Sequence, residues 1–206
     1  MISLFIDTST NRLMIGIYQN QTQIYFDNEN TTNDLSSKVL PALKKALETT
    51  NLSINNIERI YVVNGPGSFT GIRVGVTIAK TIAWSLGKII SPVSELMLLA
   101  TTKTDKNYIV PMIDARRGYV YGAIYNQKQQ PILEDCYIKL EDLIKKVENF
   151  SSLDNVCFVS YDSLDNCIEP NVCVDKLLSK NLETVNPHSL NPNYLKKTEA
   201  EEKLNQ

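Results

Sequence analysis

The pattern of apolar and polar residues in the first part of the chain predicts a strand meander followed by a helix. Three short apolar runs are separated by polar turns and are typical of strands: residues 2–6, 13–18 and 23–26. From Leu35 to Leu47 the apolar positions instead recur at helical spacing, with Val39 and Leu43 on one face. Pro41 lies inside this segment, so the helix either begins near Pro41 or is kinked there.

A further strand and helix follow, joined by a glycine-rich loop. Residues 57–63 end in apolar and β-branched side chains, which favour a buried strand. The loop 64–71 leads into a helix predicted over 72–86, with Ser68 or Thr70 as its N-cap. The segment is therefore predicted to be a strand–loop–helix unit.

The second half of the chain repeats this order of elements. Strands are predicted over 107–113, 119–125, 131–138 and 155–161, with a helix over 140–150. In each half a strand ends in two apolar residues and an aspartate, Asp7 or Asp114, before a turn and another strand. Two copies of a βββαβα unit predict a duplicated, two-lobed α/β fold, with domains at 1–100 and 101–206 and the last helix free to return to the first lobe.

Composition excludes several classes of function. Lys and Arg number 21 against 23 Asp and Glu, and this formal net charge of −2 argues against tight nucleic-acid binding by the chain alone. His188 is the single histidine, which excludes multi-histidine metal sites. The four cysteines form no CxxC pair and are expected to be reduced thiols of a cytoplasmic protein. We predict no membrane span, no metal and no cofactor.

The glycine-rich loop has two interpretations. Gly65, Gly67 and Gly71 follow neither the dinucleotide fingerprint nor the P-loop pattern. Free N–H groups at a helix N-terminus nevertheless favour an anion, which makes Ser68 and Thr70 candidate contacts for a nucleotide or phosphate. The alternative is a tight strand-to-helix turn that uses glycine for its backbone freedom.

Small residues recur at every fourth position of the second predicted helix. They would let another backbone approach closely, and the neighbour is either the helix at 35–47, a second protein subunit, or both. The candidate partner interface comprises Leu35, Val39, Leu43, Gly71, Gly75, Ala79 and Ala83.

Asp7 and Asp114 are candidate metal or phosphate residues. In a two-lobed fold both could face the cleft and hold a hydrated magnesium ion, and Arg116 could contact phosphate. Equally, each carboxylate could accept the backbone N–H groups of its own turn, and a solvated turn is the simpler explanation of Arg116.

Three tyrosines alternate along one face of the strand at 119–125. Tyr119, Tyr121 and Tyr125 have the spacing of an RNA-stacking surface. Few basic residues flank them, so we expect a core or a half-exposed sheet face instead.

The stretch from Asn64 to Gly75 closely resembles the long motif GPGSFTG[VI]R[VI]G of the bacterial TsaB (YeaZ) family. Three further segments fit this family in order and spacing: 6–10 with Asp7 and Thr8, 113–118 with Asp114 and Arg116, and 192–196. The resemblance covers most of the chain and is weakest between 161 and 186.

The resemblance implies the two-lobed fold of the sugar kinase–heat-shock chaperone–actin superfamily. It also implies a non-catalytic subunit of the complex that installs threonylcarbamoyl on adenosine 37 of ANN-decoding tRNAs. Such a subunit pairs with the catalytic subunit TsaD, or with itself, through helices that match about 34–48 and 71–86 here. It also works with the ATPase TsaE and meets tRNA only through the complex.

Two departures bear on that role. The catalytic relative carries an HxxxH metal motif, whereas the matching stretch Val93–Leu98 contains no histidine. Leu35 stands where many family members have a histidine and adds apolar surface to the predicted interface.

The alternative function is a small actin-like phosphotransferase that uses Asp7, Asp114 and the glycine-rich loop with Mg-ATP. A glycoprotease-like peptidase is disfavoured because the metal ligands are missing.

Overall fold

The first half of the chain forms a five-stranded mixed sheet in this computed structural model, which describes residues 1–31 and 34–196. Its strands are β1 (Ile2–Asp7), β2 (Arg12–Gln19), β3 (Thr22–Asn30), β4 (Arg59–Gly65) and β5 (Ile89–Ser94). They lie in the order β3-β2-β1-β4-β5, with β1 antiparallel to β2 and parallel to β4. The central strand β1 is buried from Ser3 to Asp7, which agrees with its nearly continuous apolar sequence.

Two helices, α1 (Leu35–Thr49) and α2 (Phe69–Ser85), pack with this sheet around one hydrophobic core. Helix α1 begins before Pro41, which therefore lies inside the helix on an exposed side. There the carbonyl of Ser37, which loses its usual N–H donor, can reach solvent. Helix α2 begins three residues before the predicted start at 72, and of the two predicted N-caps it uses Ser68, whose side chain accepts the N–H of Gly71 at 3.2 Å.

Strand β5 and the short helix α3 (Glu95–Leu99) were not predicted from the sequence. Strand β5 contains Pro92, which weakens a strand pattern, and it lies at the sheet edge, where a residue without an N–H is tolerated. It pairs in parallel with β4, so it continues the sheet on the side away from the meander.

The second half forms a four-stranded sheet with the same order of elements. Its strands are β6 (Tyr108–Asp114), β7 (Tyr119–Asn126), β8 (Pro131–Lys139) and β9 (Val156–Val159), and helix α4 (Leu140–Glu148) precedes β9. The order β8-β7-β6-β9, with β6 antiparallel to β7 and parallel to β9, reproduces the order β3-β2-β1-β4 of the first sheet. The predicted duplicated α/β fold is confirmed.

Contacts divide the chain into two compact units. One contains Met1–Glu95 and Cys173–Pro192, which includes helix α5 (Val174–Leu178), and the other contains Leu96–Val172 and the segment that starts at Asn193. The domain bounds predicted from the sequence stay a prediction.

All four cysteines are free thiols. Among the described residues, no helix is long and apolar enough to cross a membrane.

Candidate functional site

The turn between β1 and β2 lies directly against the glycine-rich loop. The N–H of Ser68 donates to the carbonyl oxygen of Ser9 at 2.6 Å. Gly67 has a φ of +152°, and a Cβ at this position would collide with the same Ser9 carbonyl. Glycine is therefore required at 67 both for its backbone conformation and for the missing side chain. The Gly65–Pro66 peptide bond of this loop is cis.

The next two glycines of the motif place Thr8 on the first turns of α2. The Oγ1 of Thr8 donates to the carbonyl oxygen of Gly71 at 2.7 Å. A Cβ on Gly71 would collide with the Thr8 carbonyl oxygen, and a Cβ on Gly75 would collide with Thr8 Oγ1. The β1–β2 turn thus approaches α2 more closely than any larger residue would permit.

These contacts give the glycine motif a structural role inside the chain. Ser68 donates its N–H to the Ser9 carbonyl, and its Oγ accepts the N–H of Gly71, so its backbone N–H is already used within the chain. Gly65 and Gly71 are buried, and Thr70 is exposed at the start of α2. Contact between this loop and a nucleotide or phosphate stays a prediction.

Asp7 lies beneath this turn beside Glu95, the first residue of α3. Both side chains are fully buried, at 0% exposure. Asp7 Oδ1 accepts the N–H of Ser9 at 2.7 Å. Among the described residues, Asp7 Oδ2, Ser9 Oγ and both carboxyl oxygens of Glu95 have no hydrogen-bond partner. Two carboxyl groups are thus enclosed together with fewer donors than two carboxylates need.

This enclosure raises the pKa of both carboxyl groups. Burial raises the pKa of Asp7, and the hydrogen bond from the backbone N–H of Ser9 opposes that rise. Burial, followed by the negative charge of Asp7, raises the pKa of Glu95 well above its usual value. A proton held by this pair supplies the donor that two carboxylates lack, and the rise in pKa is larger at Glu95 than at Asp7.

Asp114 and Arg116 lie in the second unit, in the hairpin between β6 and β7. Asp114 Oδ1 accepts the N–H of Arg116 at 2.8 Å, as Asp7 accepts that of Ser9. Each aspartate thus accepts a backbone N–H group of its own turn, which is one of the two roles that the sequence left open. Among the described residues, no group of three or more His, Cys, Asp or Glu side chains could hold a metal ion. The predicted magnesium or phosphate contact of Asp7, Asp114 and Arg116 has no further support here.

The outer side of α1 and α2 is an apolar surface with three grooves, which we call the outer helix face. The exposed fractions of Phe69, Leu40 and Trp84 are 56%, 57% and 62%. The largest groove measures about 430 Å³ and is lined by Phe69, Thr70, Arg73, Val74, Thr77 and Ile78. A groove of about 250 Å³ follows Leu40, Leu47 and Ile82, and one of about 190 Å³ lies beside Trp84 and His188.

The candidate interface residues themselves lie on the inner side of these helices. Val39, Leu43, Ala79 and Ala83 belong to the core of the first sheet, and Leu35 packs at its margin. Gly71 and Gly75 face Thr8. Within the chain, the small-residue stripe thus meets Thr8 at Gly71 and Gly75 and shares the core with α1 at Ala79 and Ala83. The predicted contact of these residues with a partner stays a prediction.

Sequence reasoning missed Glu95 and the exposed aromatic residues of the outer helix face. Glu95 is the one acid between Ile89 and Thr104, and that isolation in an apolar stretch is the signal that could have singled it out. The sequence contains no comparable signal for the exposure of Phe69 and Trp84, because their helix is apolar on several sides.

Comparison with known proteins identifies relatives over the whole chain. Residues 29–156 match the family described as TsaD: tRNA N6-adenosine threonylcarbamoyltransferase. The tRNA threonylcarbamoyladenosine biosynthesis protein TsaB of Bacillus subtilis is 32% identical, over 98% of this chain and 97% of that protein. The protein of the same name from Escherichia coli is 32% identical over 63% of this chain and 57% of its own length.

Solved structures agree on the fold. The structure of YeaZ from Pseudomonas aeruginosa superposes with a TM-score of 0.76 at 21% identity, over 94% of this chain and 99% of that one. A second structure, of an uncharacterized protein with similarity to peptidase YeaZ from the same organism, gives the same TM-score at 20% identity, over 95% and 99% of the two chains.

Proposed function

Since this chain belongs to the TsaB family, we propose that it takes part in threonylcarbamoyladenosine biosynthesis on tRNA as a non-catalytic subunit. It binds a TsaD-type catalytic subunit through the outer helix face and activates it. In the absence of that partner, the same face pairs two copies of this chain. The assembled pair is presented to the TsaE-type ATPase, and tRNA is met within the complex in the cytoplasm.

The observation that supports the proposal is the exposed apolar surface of the outer helix face. A groove of about 430 Å³ lies between exposed Phe69 and Ile78, and Leu40 adds further apolar area. Exposed apolar surface of this kind, broken into grooves that can receive side chains, is typical of a protein–protein interface. The inner sides of the same helices hold the chain's own core, whereas Phe69, Leu40 and Trp84 are exposed on the outer side.

The non-catalytic role is supported by the sequence of the region that follows α2. The stretch Val93–Leu98, in which Glu95 begins α3, contains no histidine that could hold a metal ion. The single histidine, His188, is exposed and lies against Trp84 at a ring distance of 5.7 Å. The phosphotransferase alternative would require Asp7 to reach a magnesium ion, and Asp7 is fully buried and bonded to its own turn.

Co-elution with a TsaD-type subunit tests the interface. Thr77 is exposed and lines both the groove of about 430 Å³ and the one beside Trp84, so Thr77→Arg places a charge there without entering the core. We expect Thr77→Arg to abolish co-elution in size-exclusion chromatography while circular dichroism and Tm match the parent protein.

A matched control is Ile132→Arg, which puts the same charge on an exposed apolar position of β8 in the other unit. This variant should co-elute like the parent. Retained pairing in Thr77→Arg would contradict the assignment of the outer helix face. Gly75→Leu and Ala79→Glu are unsuitable here because both positions are buried in the chain's own packing.

A further inference from the structure

The face of the second sheet that follows the β6–β7 turn carries three clustered tyrosine rings. Tyr119 and Tyr137 are stacked, with centroids 4.8 Å apart and planes inclined by 10°. Tyr121 lies 5.7 Å from Tyr137 on the same face. All three are half-buried, whereas Tyr125, further along β7, is buried and donates its hydroxyl to Asp135. We call Tyr119, Tyr121 and Tyr137 the tyrosine platform.

Cationic side chains surround this platform. The Lys196 Nζ lies 5.4 Å from the centroid of Tyr137, and Lys139 is the cross-strand neighbour of Tyr119. Arg116 and Arg117 are exposed in the turn that leads into Tyr119. Within the part of the chain that the structure describes, the guanidinium groups of these two arginines form no ion pair.

Three acids lie near these four cations. Asp162 Oδ2 accepts the N–H of Asp114 at 2.7 Å, and Asp114 Oδ1 accepts the N–H of Arg116. Glu141 lies 4.0 Å from Lys139 and offsets that charge in part. Four cations against three acids leave a small local excess of positive charge, in contrast to the chain's net charge of −2.

The two arginines are held in a costly backbone conformation. Arg116 and Arg117 have φ values of 67° and 55°, and Gly118 follows at 75°. Asn and Gly adopt this left-handed region readily, whereas an arginine there costs about 1 kcal/mol or more. Two consecutive arginines in such a turn indicate that their side chains serve a purpose other than forming the turn.

We propose that the tyrosine platform binds unpaired nucleotides of an RNA, with bases stacked on the tyrosine rings and phosphates at Arg116, Arg117, Lys139 and Lys196. Aromatic rings beside cations are the arrangement that proteins use for single-stranded nucleic acid, because every base offers a face for stacking. A duplex hides its base faces and does not fit this platform.

The choice of RNA rather than DNA rests on the proposed function in tRNA modification, whereas the choice of a single strand rests on the rings and cations alone. With four cations and a negative chain overall, binding is weak and salt-dependent in isolation. The platform therefore adds a contact to an RNA that is held mainly by other subunits.

Fluorescence anisotropy tests the proposal with the full-length chain, alone and with the TsaD-type subunit, at about 50 mM salt. The probes are a short labelled single-stranded RNA, its duplex and the DNA of the same sequence. Tyr137→Leu and Tyr119→Leu should each weaken single-strand binding at least about fivefold, whereas Tyr137→Phe should retain it. Arg117→Gln should lower the slope of log affinity against log salt by about one. Should Tyr137→Leu fail to fold, Tyr119→Leu still decides.

Phe69→Ala separates this proposal from the interface proposal. It should weaken pairing with the TsaD-type subunit and leave RNA binding unchanged, whereas Tyr137→Leu should do the reverse. Parent-like RNA affinity in the folded leucine variants, equal binding of the duplex, or no binding even with the partner would overturn the platform. Equal binding of single-stranded DNA would overturn the choice of RNA alone.

Discussion

At the scale of single residues, the carboxyl groups of Asp7 and Glu95 are buried together, and this pair makes the stability of the fold depend on pH. Both pKa values are raised by burial, and that of Glu95 is raised further by the charge of Asp7. An acid whose pKa is higher in the folded state binds its proton more tightly there than in the unfolded chain. The contribution of such an acid to the free energy of unfolding is fully present below the unfolded pKa of about 4.3 and declines as pH rises towards the folded pKa.

Glu95→Gln should remove this dependence, because glutamine is uncharged and can donate to Asp7. In urea unfolding from pH 5 to 8, the variant should gain stability over the parent progressively with pH, by about 1.4 kcal/mol for each unit by which the folded pKa exceeds the unfolded one. The exposed Glu183→Gln is the control and should follow the parent at every pH. A constant difference between Glu95→Gln and the parent across this range would refute a shared proton.

Thr8 and Gly75 should be energetically coupled. Alanine at 75 improves helix propensity by about 1 kcal/mol, but its Cβ would collide with Thr8 Oγ1. We expect Gly75→Ala to lose about 1–3 kcal/mol net, the usual cost of overpacking. Thr8→Ala removes the colliding oxygen, so the double variant should be at least about 1 kcal/mol more stable than the sum of the single changes.

Gly71→Ala provides the comparison for this cycle. There the collision is with the backbone carbonyl oxygen of Thr8, which no side-chain substitution removes. Thr8→Ala should therefore fail to rescue Gly71→Ala in the same urea titrations. Additive effects at Gly75, or rescue at Gly71, would mean that the β1–β2 turn can move away from α2.

The same residues explain what sequence could not provide about the site. The motif around Gly71 and Gly75 requires close approach, but the sequence does not identify the group that approaches, which is Thr8, more than sixty residues earlier. The pairing of Asp7 with Glu95 is likewise a contact between distant positions. Spacing within a segment predicts local structure, whereas these contacts depend on how segments meet.

At the scale of elements, short apolar runs between polar turns predicted most strands, because the central strands are buried and their apolar residues mark them directly. Strand β5 escaped because Pro92 interrupts it and an edge strand needs fewer apolar residues. Helix α2 was predicted, but not which side faces inward. It is apolar around most of its circumference, with the small residues inside, Val74 and Ile78 at the margin of the core, and Phe69 and Trp84 exposed.

For the whole molecule, the balance of 21 positive and 23 negative charges argues for action through partners. A chain of this charge lacks the broad basic surface with which a protein holds tRNA unaided, and the tyrosine platform adds four cations at one place. Under the proposed function, activity of the complex depends on the outer helix face, since that surface would join this chain to a subunit that supplies the chemistry.

Reconstitution of tRNA modification from purified components tests this dependence. Omitting the chain should abolish threonylcarbamoyladenosine formation, and Thr77→Arg should reduce it to the same level, because a folded subunit that cannot pair is equivalent to none. Tyr137→Leu should instead leave the product detectable but raise the tRNA concentration needed for half-maximal rate, since it removes one contact of several. Product formed equally fast without the chain would show that the catalytic subunit needs no such partner, and a parent-like rate with Thr77→Arg would place the essential contact on another surface.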